Sequence, residues 1–277
     1  MAKEVDFFVR FWGVRGSIPC PGAATARYGG NTSCVEIRCG GHVLIFDAGT
    51  GIAELGKALR GEGSLDADLF LTHTHYDHIW GWPHFSPGLD ETTRLVIRAG
   101  HLQPERRIAD LMMGLLNDPL NPLNSETLRA QLTFEDFAIG DAIEPRPGIT
   151  VRTAHLNHPN HAAGYRVEFA GHAICYLTDH EHTEGDPDDA LIALTKSADL
   201  VIYDATYTDE EYPNHVGWGH STWSEGVKLC ELADAGTFVV FHHDPGHDDK
   251  FMDRIAREVA KARPDSIVAR EGLLLRP

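Results

Sequence analysis

Three histidines and one aspartate lie within six residues, directly after a short apolar run. The run is 69–71 (Leu-Phe-Leu), and the polar segment 73–78 reads His-Thr-His-Tyr-Asp-His. On an extended backbone His73 and His75 project to the same side, whereas Asp77 and His78 follow where the chain turns and can face a second position. Imidazole and carboxylate groups are ligands of borderline divalent ions such as zinc. A surface histidine-rich tract lacks a preceding buried strand, so this pattern predicts a metal centre at a strand end.

The rest of the chain alternates strand-like and helix-like segments, which indicates an α/β fold with its site at one edge. We predict strands at 6–12, 35–38, 42–46, 94–99, 149–156, 164–168, 172–177, 200–203, 238–241 and 267–269. We predict a first helix that begins after the segment 47–51 and ends at 59, and further helices at 104–117, 186–196, 221–232 and 248–262. The 277 residues contain no linker, repeat or low-complexity tract, so one domain over 1–277 is expected. Segment 100–147 is the hardest to interpret and is considered an insertion, a lid or a dimer surface.

Composition limits the compartment and the partners. The net charge of −17 disfavours long nucleic acid, because an acidic surface repels a phosphate backbone. The five cysteines include no Cys-x-x-Cys pair, which argues against a disulfide framework or a structural zinc knuckle. The sequence has no apolar run long enough to span a bilayer and no signal peptide. A cytoplasmic protein without membrane partners is therefore expected.

The segment 73–78 resembles the metallo-β-lactamase superfamily. That resemblance implies a four-layer αββα sandwich with two metal ions at one edge. Segments 11–19 (Phe-Trp-Gly-Val-Arg-Gly-Ser-Ile-Pro) and 28–34 (Tyr-Gly-Gly-Asn-Thr-Ser-Cys) resemble the phosphodiesterase-like branch related to the tRNA 3′-processing endonucleases. The resemblance covers nearly the whole chain except 98–147.

The resemblance also implies the metal ligands. His158, in Leu-Asn-His-Pro, matches the third histidine, and Asp179, in Tyr-Leu-Thr-Asp, matches the bridging aspartate. One ion would have His73, His75 and His158. The other would have Asp77, His78 and His242, with Asp179 between the two ions. The expected ion is zinc, with manganese or iron as alternatives.

The last ligand is either His242 or His243. His242 follows the apolar run 238–241 directly, and its interval from His220 matches the endonuclease pattern without a gap. We favour His242, which would leave His243 with a supporting role.

Catalytic and substrate-binding roles follow from the same resemblance. Two ions can share a hydroxide that attacks phosphorus, and Asp77 would orient this nucleophile and act as its base. His220, in Gly-His-Ser-Thr, is the candidate proton donor, oriented by Asp204 in Tyr-Asp-Ala-Thr. The alternative is that His220 only caps the helix that starts after it.

Three further features are open to two interpretations. Arg15 either contacts a phosphate group or anchors a loop carbonyl. His215 either lines the pocket or is an exposed or supporting residue outside it. The Asp-x-Gly-x-Gly segment from Asp47 either supports the metal site or forms a tight turn with a helix N-cap.

The expected function is a dinuclear metal-dependent phosphodiesterase that acts on a small or cyclic-nucleotide phosphodiester. Processing of tRNA is disfavoured, because the interval from His158 to Asp179 has no room for the tRNA-binding arm of the endonucleases. A lactonase or thioesterase on the same fold is the main alternative. A di-iron redox protein would have Glu in place of His75, and a non-catalytic scaffold would be expected to lose ligands. A homodimer is also considered.

Overall fold

The computed structural model describes residues 6–121, 125–185 and 187–277, and over these residues the strands form two seven-stranded sheets. The first half of the chain contributes β1 (Phe7–Gly13), β2 (Cys34–Cys39), β3 (His42–Phe46), β4 (Asp66–Leu71), β5 (Arg94–Ala99) and β6 (Gln131–Asp136). The second half contributes β7 (Ala142–Arg146), β8 (Ile149–Leu156), β9 (Ala162–Phe169), β10 (His172–Leu177), β11 (Leu200–Asp204), β12 (Thr237–Phe241), β13 (Ile267–Val268) and β14 (Leu274–Leu275). The strand orders are β14-β1-β2-β3-β4-β5-β6 and β13-β12-β11-β10-β9-β8-β7.

Helices cover the outer face of each sheet. They are α1 (Ile52–Arg60), α2 (Tyr76–Ile79), α3 (Ile108–Gly114), α4 (Asp189–Thr195), α5 (Trp223–Leu232) and α6 (Asp249–Ala262). Apolar residues of α1 and α3 pack on the first sheet, and those of α4, α5 and α6 pack on the second. A third apolar cluster fills the space between the two sheets. The four-layer αββα sandwich that the sequence indicates is therefore confirmed.

Parallel strands place the polar segments at one edge. Strands β3 to β6 are parallel neighbours, as are β10, β11 and β12. Strand β8 is antiparallel to β9, which is antiparallel to β10, so β8 runs in the same direction as β10. The residues that follow β4, β8, β10, β11 and β12 therefore meet at the carboxyl ends of the strands, where ligands bind in α/β sheets.

The secondary-structure predictions were incomplete at the sheet edges. Within 100–147, β6 extends the first sheet and β7 extends the second, and neither strand was predicted. That the remainder of this segment is an insertion, a lid or a dimer surface stays a prediction.

Boundaries and the final strand also differ. The strand predicted at 267–269 is not the last one, because β14 follows it and pairs with β1. The helix predicted at 104–117 is shorter, and the first residue of the helix predicted at 186–196 lies outside the described residues. None of the described helices is both long enough and apolar enough to cross a bilayer.

Candidate metal centre

Three imidazole rings converge near the carboxyl ends of β4 and β8. The ligand atoms of His73, His75 and His158 all lie within 4.8 Å of one another. His73 follows β4, His75 immediately precedes α2, and His158 follows β8. The Nε2 atom of His158 lies 3.1 Å from Nδ1 of His75. This cluster, which we call the three-histidine group, has the composition expected of a divalent-ion site.

A second group lies beside the first and combines two carboxylates with two imidazoles. The ligand atoms of Asp77, His78, Asp179 and His242 also lie within 4.8 Å of one another. Asp77 Oδ2 is 3.3 Å from Nε2 of both His78 and His242. We call this the carboxylate–histidine group.

Asp179 connects the two groups. Its Oδ2 is 3.0 Å from His78 Nε2 and 3.2 Å from His242 Nε2. Its Oδ1 faces the other way, 3.8 Å from His73 Nε2 and 3.7 Å from His158 Nε2. One carboxylate thus presents one oxygen to each group, which is the arrangement required of a ligand shared by two cations.

Buried nitrogen atoms show that these groups fit metal ions. The Nε2 atoms of His73, His78 and His242 are buried and make no hydrogen bond with any described residue. A buried nitrogen without a hydrogen bond normally costs free energy, and metal ions bound in the two groups would satisfy all three. The donor set of imidazole and carboxylate suits zinc, manganese or iron.

The electrostatics of the site favour the binding of cations. Burial raises the pKa of Asp179, but the positive charge of His242, His78 and His73 outweighs this effect and holds the pKa well below its usual range. Burial also lowers the pKa of His78, and the carboxylates of Asp179, Asp77 and Asp47 more than reverse that effect. Ionised carboxylates therefore face the imidazoles of both groups, and divalent cations would balance the carboxylate charge in place of the imidazole protons.

Hydrogen bonds on the outer side fix the orientation of the rings. His78 Nδ1 bonds Asp47 Oδ2 at 2.8 Å, and His158 Nδ1 donates to the carbonyl oxygen of Gly219 at 2.8 Å. His242 Nδ1 is 3.0 Å from Thr206 Oγ1. Such partners direct the opposite nitrogen of each ring toward the metal. Of the two interpretations of the segment from Asp47, the geometry fits support of the metal site.

Three polar residues of the centre have a left-handed backbone. The φ angles are 61° at Asp47, 59° at Asp179 and 60° at His242. Each residue lies within two positions of the end of a strand. Non-glycine residues adopt this conformation uncommonly, although Asp and His do so more often than most. The turn redirects each side chain from the sheet edge into the centre.

His220 and Asp204 form a pair next to the metal groups. His220 Nδ1 is 2.8 Å from Asp204 Oδ2, and His220 lines the same cavity as His75, Asp77 and Asp179. Burial lowers the pKa of His220, but the charge and hydrogen bond of Asp204 raise it to about 9. Asp204 also accepts hydrogen bonds from the backbone N–H of Asp179 and from Thr206. The carboxylate of Asp204 is therefore already occupied by hydrogen bonds, and it fits an orienting role better than a metal-binding one.

The prediction that Arg15 contacts a phosphate group is not supported by its position. The side chain is fully buried at 0% exposure. It donates to the carbonyl oxygens of Gly29, Asp244 and His247 at 2.6 to 3.0 Å. The alternative, that Arg15 anchors loop carbonyls, matches this structure, because a guanidinium held on three sides cannot reach a substrate.

Two other histidines lie outside the metal groups. His243 Nε2 donates to the carbonyl oxygen of Ala269 at 2.8 Å, so its ring faces away from the centre. His215 was predicted to line the pocket but is not among the described residues that line it. Its ring stacks on that of Tyr207, with ring centres 4.2 Å apart, and the ring of Tyr207 packs edge-on against His220, with ring centres 6.0 Å apart.

Three partner residues were not identified from the sequence. The hydroxyl of Thr206 donates to Asp204 Oδ1 and lies 3.0 Å from His242 Nδ1. The only sequence signal for this role was the position of Thr206 two residues after Asp204. His101 follows β5 and bonds Thr74 Oγ1 at 2.9 Å. Glu181 is buried and accepts the backbone N–H groups of Gly217 and Gly219 at 2.6 and 2.8 Å. No sequence pattern marks Glu181, because most of its partners are backbone groups and the remaining one, Tyr212, is 31 residues away.

Comparisons with known proteins show which proteins share this fold. The ribonuclease Z of Natronomonas pharaonis is 25% identical over 274 aligned residues, covering 84% of this chain and 86% of that protein. The metallo-beta-lactamase fold protein YhfI from Bacillus subtilis has a TM-score of 0.73, with 17% identity and coverage of 98% and 99% of the two chains. The short form of human tRNase Z has a TM-score of 0.70, with 20% identity and coverage of 97% and 98%.

The family profile described as a beta-lactamase superfamily domain matches residues 42–243. This match begins at β3 and ends just after β12, so it includes both metal groups and the pair formed by His220 and Asp204. The chain belongs to the beta-lactamase superfamily and is a metal-dependent hydrolase.

Proposed function

We propose that the protein is a phosphodiesterase that uses two divalent cations, held by the three-histidine group and the carboxylate–histidine group. The observation that carries this proposal is the position of Asp179 between the groups, with His220 facing the same cavity. Divalent cations at these positions supply Lewis acidity and a nucleophile at neutral pH. The cations are expected to be zinc, with manganese or iron as alternatives.

His220 is the proposed proton donor to the leaving alkoxide. Its Nδ1 is engaged by Asp204 Oδ2 at 2.8 Å, which leaves Nε2 for the substrate. The pKa of about 9 keeps the ring protonated at neutral pH, so a proton is available when the leaving group departs. Asp204 holds the tautomer and the orientation of the ring. The stacking of His220 on His242, with ring centres 5.0 Å apart, keeps the donor next to the metal groups.

Asp77 is proposed to bind a metal ion and to orient the nucleophile. Its Oδ2 accepts the backbone N–H of Ser17 at 2.7 Å, which fixes the carboxylate in the cavity. Burial raises the pKa of Asp77, but the charge of His78 and the proximity of His242 leave it well below the usual range. The carboxylate is therefore ionised and can orient the nucleophile by accepting a hydrogen bond from it.

We propose a small phosphodiester as the substrate. Strands β9 and β10 are joined by a turn of two residues, 170–171, so the interval between His158 and Asp179 holds a simple hairpin and no arm. None of the described residues that line the cavity is Lys or Arg, and the net charge is −17. A long RNA backbone needs cationic contacts, which this cavity does not offer.

Cleavage of RNA near its 3′ end is the second candidate. Curated relatives of similar length are named ribonuclease Z and cover more than four-fifths of the chain. Hydrolysis of a lactone or thioester is a further alternative, because a Lewis acid polarises a carbonyl as well as a phosphoryl oxygen. A homodimer and a cytoplasmic location stay predictions.

The test compares four substrates with the metal-loaded protein: bis-p-nitrophenyl phosphate, 3′,5′-cyclic AMP, a precursor tRNA and a lactone panel. We expect turnover of the diesters and little or no cleavage of the tRNA. In the His220→Ala variant, turnover of cyclic AMP should fall by about 100-fold or more. The loss on bis-p-nitrophenyl phosphate should be smaller, because p-nitrophenolate needs little protonation. His172→Ala, which removes a histidine far from the cavity, is the control.

Three results would contradict the proposal. Turnover of lactones alone, with both ions bound, would reject phosphodiester hydrolysis. Efficient cleavage of the tRNA would identify RNA, rather than a small phosphodiester, as the substrate. Equal losses on both diesters in His220→Ala, at unchanged metal content, would reject His220 as the proton donor.

A further inference from the structure

We propose that the cavity contains a subsite for a planar aromatic group, such as a nucleobase, carried on one arm of the substrate. Tyr76, Leu111 and Leu115 are the residues that would recognise this group. The inference rests on the proposed phosphodiesterase function, because it assigns a place to one of the two ester arms.

The cavity has two chemically different sides. It has a volume of about 550 Å³. Its polar side carries residues of the metal centre, namely His75, Asp77, Asp179 and His220. Its other side is formed by Tyr76, Ile79, Leu111 and Leu115, and we call it the apolar lobe. The phosphodiester group belongs on the polar side, so the apolar lobe is left for a part of the substrate that does not react.

Tyr76 offers an exposed aromatic face at the edge of this cavity. It is 69% exposed, although it lies between two residues of the metal groups. Trp80, one helical turn later, is 55% exposed, and its ring centre lies 5.3 Å from that of Tyr76. Helix α2 thus directs Asp77 and His78 inward and two aromatic rings outward. Exposed aromatic rings next to an active cavity are typical stacking platforms for bases.

Helix α3 supplies the opposite part of the lobe. Ile108, Met112 and Leu116 follow the spacing of one helix face and are at most 2% exposed, so they belong to the core. Leu111 and Leu115 lie on the neighbouring face, are only half-buried, and line the cavity. Both side chains also pack against the core of the first sheet, and the apolar surface that they leave exposed in the active cavity favours an apolar ligand.

A second cavity provides a place for the other ester arm. It has a volume of about 480 Å³ and shares Thr74, His75 and Leu111 with the first cavity. It is also lined by His101, Asn160, His161 and Arg106. The two cavities therefore meet beside the three-histidine group, one mainly apolar and one mainly polar. An unsymmetrical diester, with a planar aromatic arm and a polar arm, fits this arrangement better than a symmetrical one.

The experiment compares AMP and ribose 5-phosphate as inhibitors of bis-p-nitrophenyl phosphate hydrolysis by the metal-loaded protein. The two inhibitors share the sugar and the phosphate and differ only in the base. We expect AMP to inhibit about tenfold more strongly, the contribution expected of one stacked base. Tyr76→Ala and Leu115→Ala should bring this ratio close to one, whereas Tyr76→Phe, which keeps the ring, should preserve it. Leu232→Ala, an exposed leucine on α5, is the control.

The outcomes separate this inference from the proposed function. Hydrolysis with equal inhibition by both compounds, or a ratio that survives both alanine substitutions, would overturn the subsite and leave the phosphodiesterase proposal intact. Absence of hydrolysis would reject the phosphodiesterase proposal. In that case, calorimetric titration of the metal-loaded protein with AMP and ribose 5-phosphate still measures the contribution of the base. Metal content is measured in each Tyr76 variant, because this residue adjoins His75 and Asp77.

Discussion

Two glycines in one loop provide a matched test of how the three-histidine group is held. Gly217 and Gly219 both have a left-handed backbone, with φ of 88° and 86°. A Cβ atom added at Gly217 would meet nothing within 4 Å, whereas one at Gly219 would lie 2.2 Å from His158 Nδ1 and 2.5 Å from Pro159 Cδ. Alanine therefore introduces the same backbone cost at both positions, about 1 kcal/mol, but a steric conflict only at Gly219.

The effect of Gly219→Ala on the site follows from these distances. Ordinary contacts of a Cβ atom begin at 3.4 Å, so the ring of His158 or the loop must move by about 1 Å. Either movement breaks the hydrogen bond of 2.8 Å between His158 Nδ1 and the carbonyl oxygen of Gly219. Loss of such an outer partner typically weakens metal affinity or activity by about 10- to 100-fold. We expect a loss in this range for Gly219→Ala and a change of less than about twofold for Gly217→Ala.

The assay measures zinc and manganese affinity by equilibrium dialysis, turnover of bis-p-nitrophenyl phosphate, and the melting temperature of both variants. The backbone cost should lower both melting temperatures, by about 2 to 4 °C per kcal/mol for a chain of this size, and the steric conflict should lower that of Gly219→Ala further. Metal affinity should separate the two variants. If Gly219→Ala binds metal and turns over substrate as well as Gly217→Ala does, the proposed role of the carbonyl oxygen of Gly219 in holding His158 is wrong.

Three further predictions concern the surroundings of the site. Glu181→Gln should destabilise the loop by about 2 to 4 kcal/mol and lower turnover, because an amide cannot accept every hydrogen bond that the buried carboxylate accepts. Tyr212→Phe removes only one donor to Glu181 and should cost less than about 1 kcal/mol. Equal losses of stability in the two variants would refute this reasoning. Arg15→Met should lower the melting temperature and leave KM unchanged, because the Arg15 side chain donates hydrogen bonds only to loop carbonyls. A raised KM at unchanged stability would instead support the prediction that Arg15 contacts a phosphate group. Removal of the metal ions with a chelator should abolish turnover and lower the melting temperature, since an ion at a free concentration of 100 times its Kd stabilises the folded state by about 2.7 kcal/mol. An unchanged melting temperature after verified metal loss would show that the ions do not stabilise the fold.

Much of the fold and of the site's composition was accessible from the sequence. Strands that are buried over most of their length, such as β4 and β5, have apolar runs that identify them. The predicted strand 94–99 coincides with β5, whereas the apolar run 69–71 covers only the second half of β4. The segment 73–78 indicated the position of the centre, because a cluster of ligand-type residues after a buried strand has few alternatives, and its resemblance to a known superfamily implied the fold. The same logic placed His158, Asp179 and His242 at strand ends, and the structure brings these three side chains together. That they bind metal stays a proposal.

The tertiary structure decided what depends on neighbours distant in the chain. Edge strands β6, β7 and β14 have weak patterns, because they are short or half-exposed and are stabilised by pairing with a neighbouring strand rather than by their own composition. Arg15 was ambiguous because its carbonyl partners include residues more than 200 positions away. The side chain of Glu181 binds two backbone N–H groups, which every residue except proline provides, and the hydroxyl of Tyr212, so the sequence around it did not reveal its role. The sequence by itself therefore determined which side chains can bind metal, and the folded chain determined which groups orient them and which form the cavity.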